Sequence, residues 1–165
     1  SEHRDPPDGR RHADANARGV FFGIHGGVGR AHMTRAVMEG VSFALKDSLL
    51  LMSALDVNPS GAVAVGGGAG SPIWLQMLSD VLDLPLRTVG PSEGAPMGAA
   101  MLAAVGTGEY ASAVEAGGAW LTDLALTEPA ARVPGAHGTQ DAYAMAYERY
   151  RALYPALKDS FAHNV

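Results

Sequence analysis

The chain has 165 residues, a length at which a compact domain removes roughly two-thirds of its unfolded surface from water and needs no staple to hold a core. Apolar residues at 47%, charged residues at 18% and a mean hydropathy of +0.04 exclude a chain kept open by charge, and apolar runs such as residues 49–52 and 99–105 fall far short of the ~20 residues of a membrane-spanning helix. A formal net charge of -5 argues against nucleic acid as a partner, while zero cysteines exclude disulfides, thiolate metal ligands and a Cys nucleophile and fit a reducing, cytoplasmic setting.

Residues 1–18 hold four Arg, two His and four acidic residues with almost no large apolar side chain. Residues 1–19 are therefore expected to form an extended or disordered leader, and without an apolar h-region they are no signal peptide. The lack of an initiator Met leads to the expectation that the chain is a piece of something longer. Residues 20–24 read as a short strand ended by a glycine-rich turn at 25–29. From Ala31 the period becomes helical. Met33, Val37, Val41, Leu45 and Leu49, thickened by Ala36, Ala44 and Met52, predict a helix buried on that stripe until Asn58 and Pro59 stop it. Gly40 inside it costs about 1 kcal/mol against Ala, which predicts a close backbone approach.

Residues 62–65 read as a buried strand between glycines. Residues 73–82 read as a helix with Ile73, Trp74, Met77, Leu78 and Val81 inward, and residues 86–89 as a second strand. A third helix over 96–105 is built of small residues, and its Gly98, Ala99, Ala100, Ala103 and Ala104 predict tight packing against a neighbouring element. After a loop, residues 139–161 form a closing helix with Tyr143, Tyr147, Tyr150, Tyr154 and Leu157 at three- and four-residue steps. The alternation implies an α/β fold with a mostly parallel sheet flanked by helices. Only two or three strands are in view, so part of the sheet is expected to lie outside this chain.

The segment AVAVGGGAGSPIW from Ala62 carries the most information. A strand runs into Gly66, Gly67 and Gly68, then Ala69 and Gly70, and a helix opens with Ser71 as N-cap and Pro72 at its first position. Residues without side chains let backbone and flat ligand faces approach, and a helix N-terminus favours negative phosphate. A tight strand-to-helix turn with positive φ at one or two positions explains the same spacing. The GxxxxGK[ST] pattern is absent. The GxGxxG fingerprint fails where Ser71 replaces its last glycine, and Glu93 falls beyond the strand tip rather than on it, which leaves a dinucleotide-binding oxidoreductase as a weak third reading.

RAHMTRAVMEGVSFALKDSL from Arg30, AVAVGGGAGSPIWLQMLSDVLDLPL from Ala62 and EGAPMGAAMLAAVGTGEY from Glu93 together resemble the C-terminal part of the FGGY carbohydrate kinases, most of all their xylulokinase branch. The resemblance runs from about Ala17 to the C-terminus. It implies the C-terminal lobe of an actin-like ATPase fold with a ribonuclease-H-like core, and ATP in the cleft between two lobes. By that resemblance Gly66, Gly67, Gly68, Ala69 and Pro72 form the ATP-binding set. Gly67, Gly68 and Ala69 would face the adenosine and α-phosphate, and Pro72 the edge of the adenine. The family's catalytic aspartate, its sugar contacts and both phosphate motifs belong upstream, so neither a catalytic nor a metal-binding residue is expected in this chain. The implied whole enzyme moves the γ-phosphoryl of ATP, with Mg²⁺, onto a ketopentose such as D-xylulose or another sugar of the family. Its partners would be ATP, the sugar and the N-terminal kinase lobe, and a homodimer is compatible with it. A binding module without catalysis, a lobe that holds nucleotide or serves as a scaffold, is the second reading.

The remaining candidates have structural readings. His25 and His32 lack the acidic or third imidazole companion a metal site needs. Arg35 and Glu39 form an i,i+4 pair. Asp80 and Asp83 are read as solvated carboxylates at a helix end, and the Tyr stripe as core, since no basic residues interleave it as in a base-stacking platform.

Overall fold

A computed structural model describes residues 14, 16–89, 94–121, 124–131 and 138–161. The elements in chain order are α1 (Arg30–Ser53), β1 (Ala62–Ala64), a 3₁₀ turn (Gly67–Gly70), α2 (Pro72–Leu82), β2 (Leu86–Thr88), α3 (Gly94–Gly106), α4 (Ala113–Trp120), β3 (Ala125–Thr127) and α5 (Thr139–Phe161). They divide into two compact units. One comprises Ser1–Asn58, Asp80–Leu82 and Ala130–Val165, the other Pro59–Ser79 and Asp83–Pro129.

The first unit is built on α1 and α5. Phe43 is buried and its ring meets those of Tyr143, Tyr147 and Tyr150 at centroid distances of 6.3, 5.7 and 5.4 Å. Edge-to-face and tilted ring pairs of this kind add to the gain from buried area. Polar groups complete the seam. Arg35 bonds Glu39 at 2.8 Å and also donates to the Tyr143 hydroxyl at 2.8 Å, while the Tyr147 hydroxyl donates to the buried Asp47 carboxylate. Burial, then the bond to Asp47, push the Tyr147 phenol above its ordinary range. The closing helix has its expected bounds, and Tyr143 and Tyr147 are core.

Five expectations in this unit are corrected. Residues 20–24 form no strand: Phe22 is 80% exposed, and no strand among the described residues pairs with them. The first helix stops at Ser53, before Asn58 and Pro59, because the chain turns at once through Asp56 with φ of 60° and Val57 bonds back to the Met52 carbonyl. Its apolar stripe is turned outward, with Val37, Val41 and Leu45 exposed, while Ser42, Phe43 and Asp47 are buried. A Cβ at Gly40 would meet nothing within 4 Å, so no close approach accounts for that glycine. Asp80 is a fifth case: it is buried, not solvated, and its carboxylate accepts the Ala130 N–H at 2.7 Å. Of the leader, residues 1–13 and 15 lie outside the described residues. Asp14 accepts from the Asn16 N–H at 2.8 Å and from the Tyr154 hydroxyl at 3.0 Å.

The second unit holds a three-stranded sheet of order β1-β2-β3, with β1 parallel to β2 and β2 antiparallel to β3. The sheet is therefore mixed, because the stretch read as a loop contains α4 and β3. α2 is the crossover that a parallel pair requires. Leu75 and Leu78 pack with Leu86, and Ala64 and Trp74 border that cluster. The buried Ser79 hydroxyl donates to the Leu84 carbonyl at 2.7 Å and lies 3.3 Å from that of Thr127. Ile73 is the inward position that fails, at 72% exposed, and β1 is not a buried strand, since Val63 is 50% exposed. α3 contacts α4, whose Trp120 donates to the Tyr110 hydroxyl at 3.0 Å. Gly98 sits on the exposed side of α3 with Ala99, Ala100 and Ala103, and a Cβ at Gly98 would meet nothing within 4 Å, which corrects the expected tight packing at these four, while Ala104 is buried as expected.

Candidate functional site

The sequence between β1 and α2 folds locally as its residue types require. Gly66 has φ of 85° and ψ of -175°, a conformation that L side chains rarely adopt, and it reverses the chain at the strand end. The Ala69 N–H then bonds the Gly66 carbonyl at 3.0 Å and the Ser71 N–H bonds that of Gly68 at 3.1 Å, which tightens the turn. Ser71 caps α2 by accepting the Trp74 N–H at 3.3 Å, and Pro72 occupies the first helical position.

All five residues singled out from the sequence lie on this one continuous feature. Gly66, Gly67, Gly68 and Pro72 are exposed, and Ala69 is half-buried. A Cβ at Gly66 or Gly67 would meet no neighbour within 4 Å, and one at Gly68 would reach only the Trp74 indole nitrogen at 4.0 Å. The space in front of Gly66, Gly67 and Gly68 is therefore open, and of these three the fold itself needs glycine only at Gly66. The positive end of α2 points at the same place, which suits a ligand that combines a flat face with negative charge.

Two neighbours were not legible from the motif. Ile73 lies exposed beside Pro72 and extends the turn with an apolar edge. Gly94 is the glycine that serves close packing, because a Cβ there would stand 3.0 Å from Cβ of Val65, the residue before the turn. Its signal in the sequence is the third glycine-rich motif, in which Gly94 and Gly98 read alike. Glu93 lies outside the described residues. His25 and His32 each use Nδ1 on backbone, accepting the Gly27 and Gly29 N–H groups at 3.2 and 3.1 Å. No group of three or more His, Asp or Glu that could hold a metal ion forms among the described residues, and none of their helices is long and apolar enough to cross a membrane.

Comparison with known proteins defines the class. Residues 7–107 match the model of the C-terminal domain of the FGGY family of carbohydrate kinases. Xylulose kinase from Bacillus subtilis is 35% identical over 148 residues, a match that covers 90% of this chain and 28% of that protein. A xyloylose kinase from Brucella ovis superposes with a TM-score of 0.74 at 33% identity over 88% of this chain and 29% of that one. Xylulose kinase from Rhodospirillum rubrum gives 0.72 at 26% identity, over 91% and 29%. The chain belongs to the FGGY family of carbohydrate kinases, with the mixed α/β architecture of the C-terminal part of its relatives, and it spans less than a third of their length.

Proposed function

We propose that this chain supplies the adenosine side of the ATP site of a sugar kinase. The observation that carries the reading is the exposed turn at residues 66–70, which keeps Gly67 and Gly68 free of side chains that the fold itself has room for. Gly67, Gly68 and Ala69 would line the adenosine and α-phosphate, and Pro72 with Ile73 the edge of the base. The field of the α2 N-terminus would favour the phosphate end. In the longer polypeptide the reaction is transfer of the γ-phosphoryl group of ATP to a hydroxyl of a ketopentose, D-xylulose being the substrate that the names of the relatives favour. Such transfer depends on positioning and charge stabilisation, and Mg²⁺ supplies the neutralising charge on the phosphates. The upstream lobe would provide the base that takes the proton from the sugar hydroxyl and the residues that hold the sugar.

Gly67→Val tests the reading, because the substitution fits the fold and intrudes only on a ligand. In the longer kinase it should raise KM for ATP at least tenfold, about 1.4 kcal/mol of binding, with the sugar KM and the melting temperature little changed. Unchanged ATP kinetics would remove this turn from the site. The 165-residue chain alone, given ATP, Mg²⁺ and D-xylulose, should release no ADP above background, since it lacks the base. Sugar-dependent turnover by the chain alone would place the catalytic group within it.

A further inference from the structure

Trp74 occupies the third position of α2, and its backbone N–H is taken by the Ser71 cap at 3.3 Å. Its side chain has two environments. The ring borders the buried cluster of Leu75, Leu78 and Leu86, while the indole nitrogen is the atom that a Cβ at Gly68 would reach, at 4.0 Å. Helical spacing reads the whole side chain as core, and the structure gives that role to the ring alone. An indole N–H donates and cannot accept, and in folded proteins it normally finds an acceptor. Trp120 follows this rule, with its N–H on the Tyr110 hydroxyl at 3.0 Å. The Trp74 N–H has no acceptor among the described residues and is not sealed in the core, so it lies beside the turn as an unused donor.

Gly68 bears on the same donor. Its φ is not positive, so the backbone does not require glycine there, and the fold has room for a side chain. Any side chain at position 68 would stand beside the indole nitrogen and narrow access to it. We infer that Trp74 is a nucleotide-contacting residue, whose indole N–H donates across Gly68 to an oxygen of the α-phosphate. A phosphate oxygen suits a donor because it carries charge, and a charge-assisted hydrogen bond is roughly twice as strong as a neutral one. A ribose hydroxyl is the alternative acceptor. The phosphate is favoured because Trp74 sits in the first turn of α2, where the helix field favours negative charge. The inference rests on the reading of this turn as the adenosine side of the ATP site, and it adds the side chain that orients the phosphate there.

The test uses the longer kinase and two ligands, MgADP and adenosine, with affinity read by calorimetry. Trp74→Phe keeps a ring against Leu75, Leu78 and Leu86 and removes the N–H. It should weaken MgADP about tenfold, change adenosine by less than about twofold because no phosphate is there to lose a contact, and leave the melting temperature little changed. Equal losses for the two ligands overturn the α-phosphate contact, since a ribose contact or packing alone would produce them. Unchanged MgADP affinity overturns it as well. If Gly67→Val still raises KM for ATP in that case, the turn remains the nucleotide site and only the indole contact falls; if both variants are silent, the turn itself is excluded. Gly68→Ala is a second variant that leaves the Trp74 ring in place and sets a methyl 4.0 Å from the donor. It should weaken MgADP by itself, and Trp74→Phe added to it should cost less than about twofold more, because the two changes remove one contact. Full additivity of the two losses counts against the inference.

Discussion

α1 and α2 both carry apolar residues at helical spacing, yet their apolar stripes meet opposite fates. In α2 the stripe is buried: Met77, Leu78 and Val81 are inside, and Leu78 packs with Leu75 and Leu86. In α1 the stripe through Val37, Val41 and Leu45 faces out, and burial falls on Ser42, Phe43 and Asp47. Periodicity records which face of a helix avoids water. It does not record which side of the helix the rest of the fold covers.

The comparison breaks most visibly at Phe43. Phe43→Ala should destabilise the chain by about 3–5 kcal/mol, because it empties the centre of the Tyr143, Tyr147 and Tyr150 cluster, whereas Val41→Ala one helical face away should stay within about 0.5 kcal/mol. Denaturant midpoints of the two variants check this, and similar losses would mean that the outer face is already packed.

Tyr147→Phe removes the hydroxyl that donates to Asp47 and should cost about 1.5–3 kcal/mol at neutral pH. The folded Tyr147 phenol is held above its ordinary range. Its contribution is therefore whole below about pH 10, where the unfolded phenol titrates, and is lost as pH rises through the higher folded value. Thermal melts across the alkaline range should show a steeper fall for the wild type than for Tyr147→Phe. Parallel curves would detach this bond from the alkaline transition.

Within the second unit two glycines of α3 sharpen the distinction between packing and propensity. Gly94→Leu forces a side chain onto Val65 and should cost about 1–3 kcal/mol. In the longer kinase it should also weaken ATP binding, because Val65 leads into Gly66. Gly98→Leu meets open space and should stabilise the chain by about 0.5–1 kcal/mol through helix propensity. A lowered melting temperature for Gly98→Leu would mean that this side of α3 is covered.

Much of the candidate site was legible because its determinants are local. A strand, a run of glycines, Ser71 and Pro72 follow one another in the chain, and the positive φ at Gly66 and the Ser71 cap are short-range consequences of those residue types. The tyrosines of α5 were legible as core for a similar reason, since their spacing puts them on one face. Gly98 misled because glycine in a helix reads alike whether it faces a neighbour or water, and only the position of Val65 distinguishes Gly94 from it. Asp80 was misread because its partner, the Ala130 N–H, lies fifty residues along the chain.

The sequence by itself determined α1, α2, α3 and α5, the β1 and β2 segments, the glycine-rich turn and the family resemblance, because caps, turns and periodicity act over a few residues. The tertiary structure alone decided that β3 joins the sheet antiparallel, that Phe43 rather than the Val37 stripe forms the inner face of α1, and that Gly94 is the glycine of close approach. Those outcomes depend on which distant groups meet, and burial is a property of the pair of surfaces in contact, not of either surface alone.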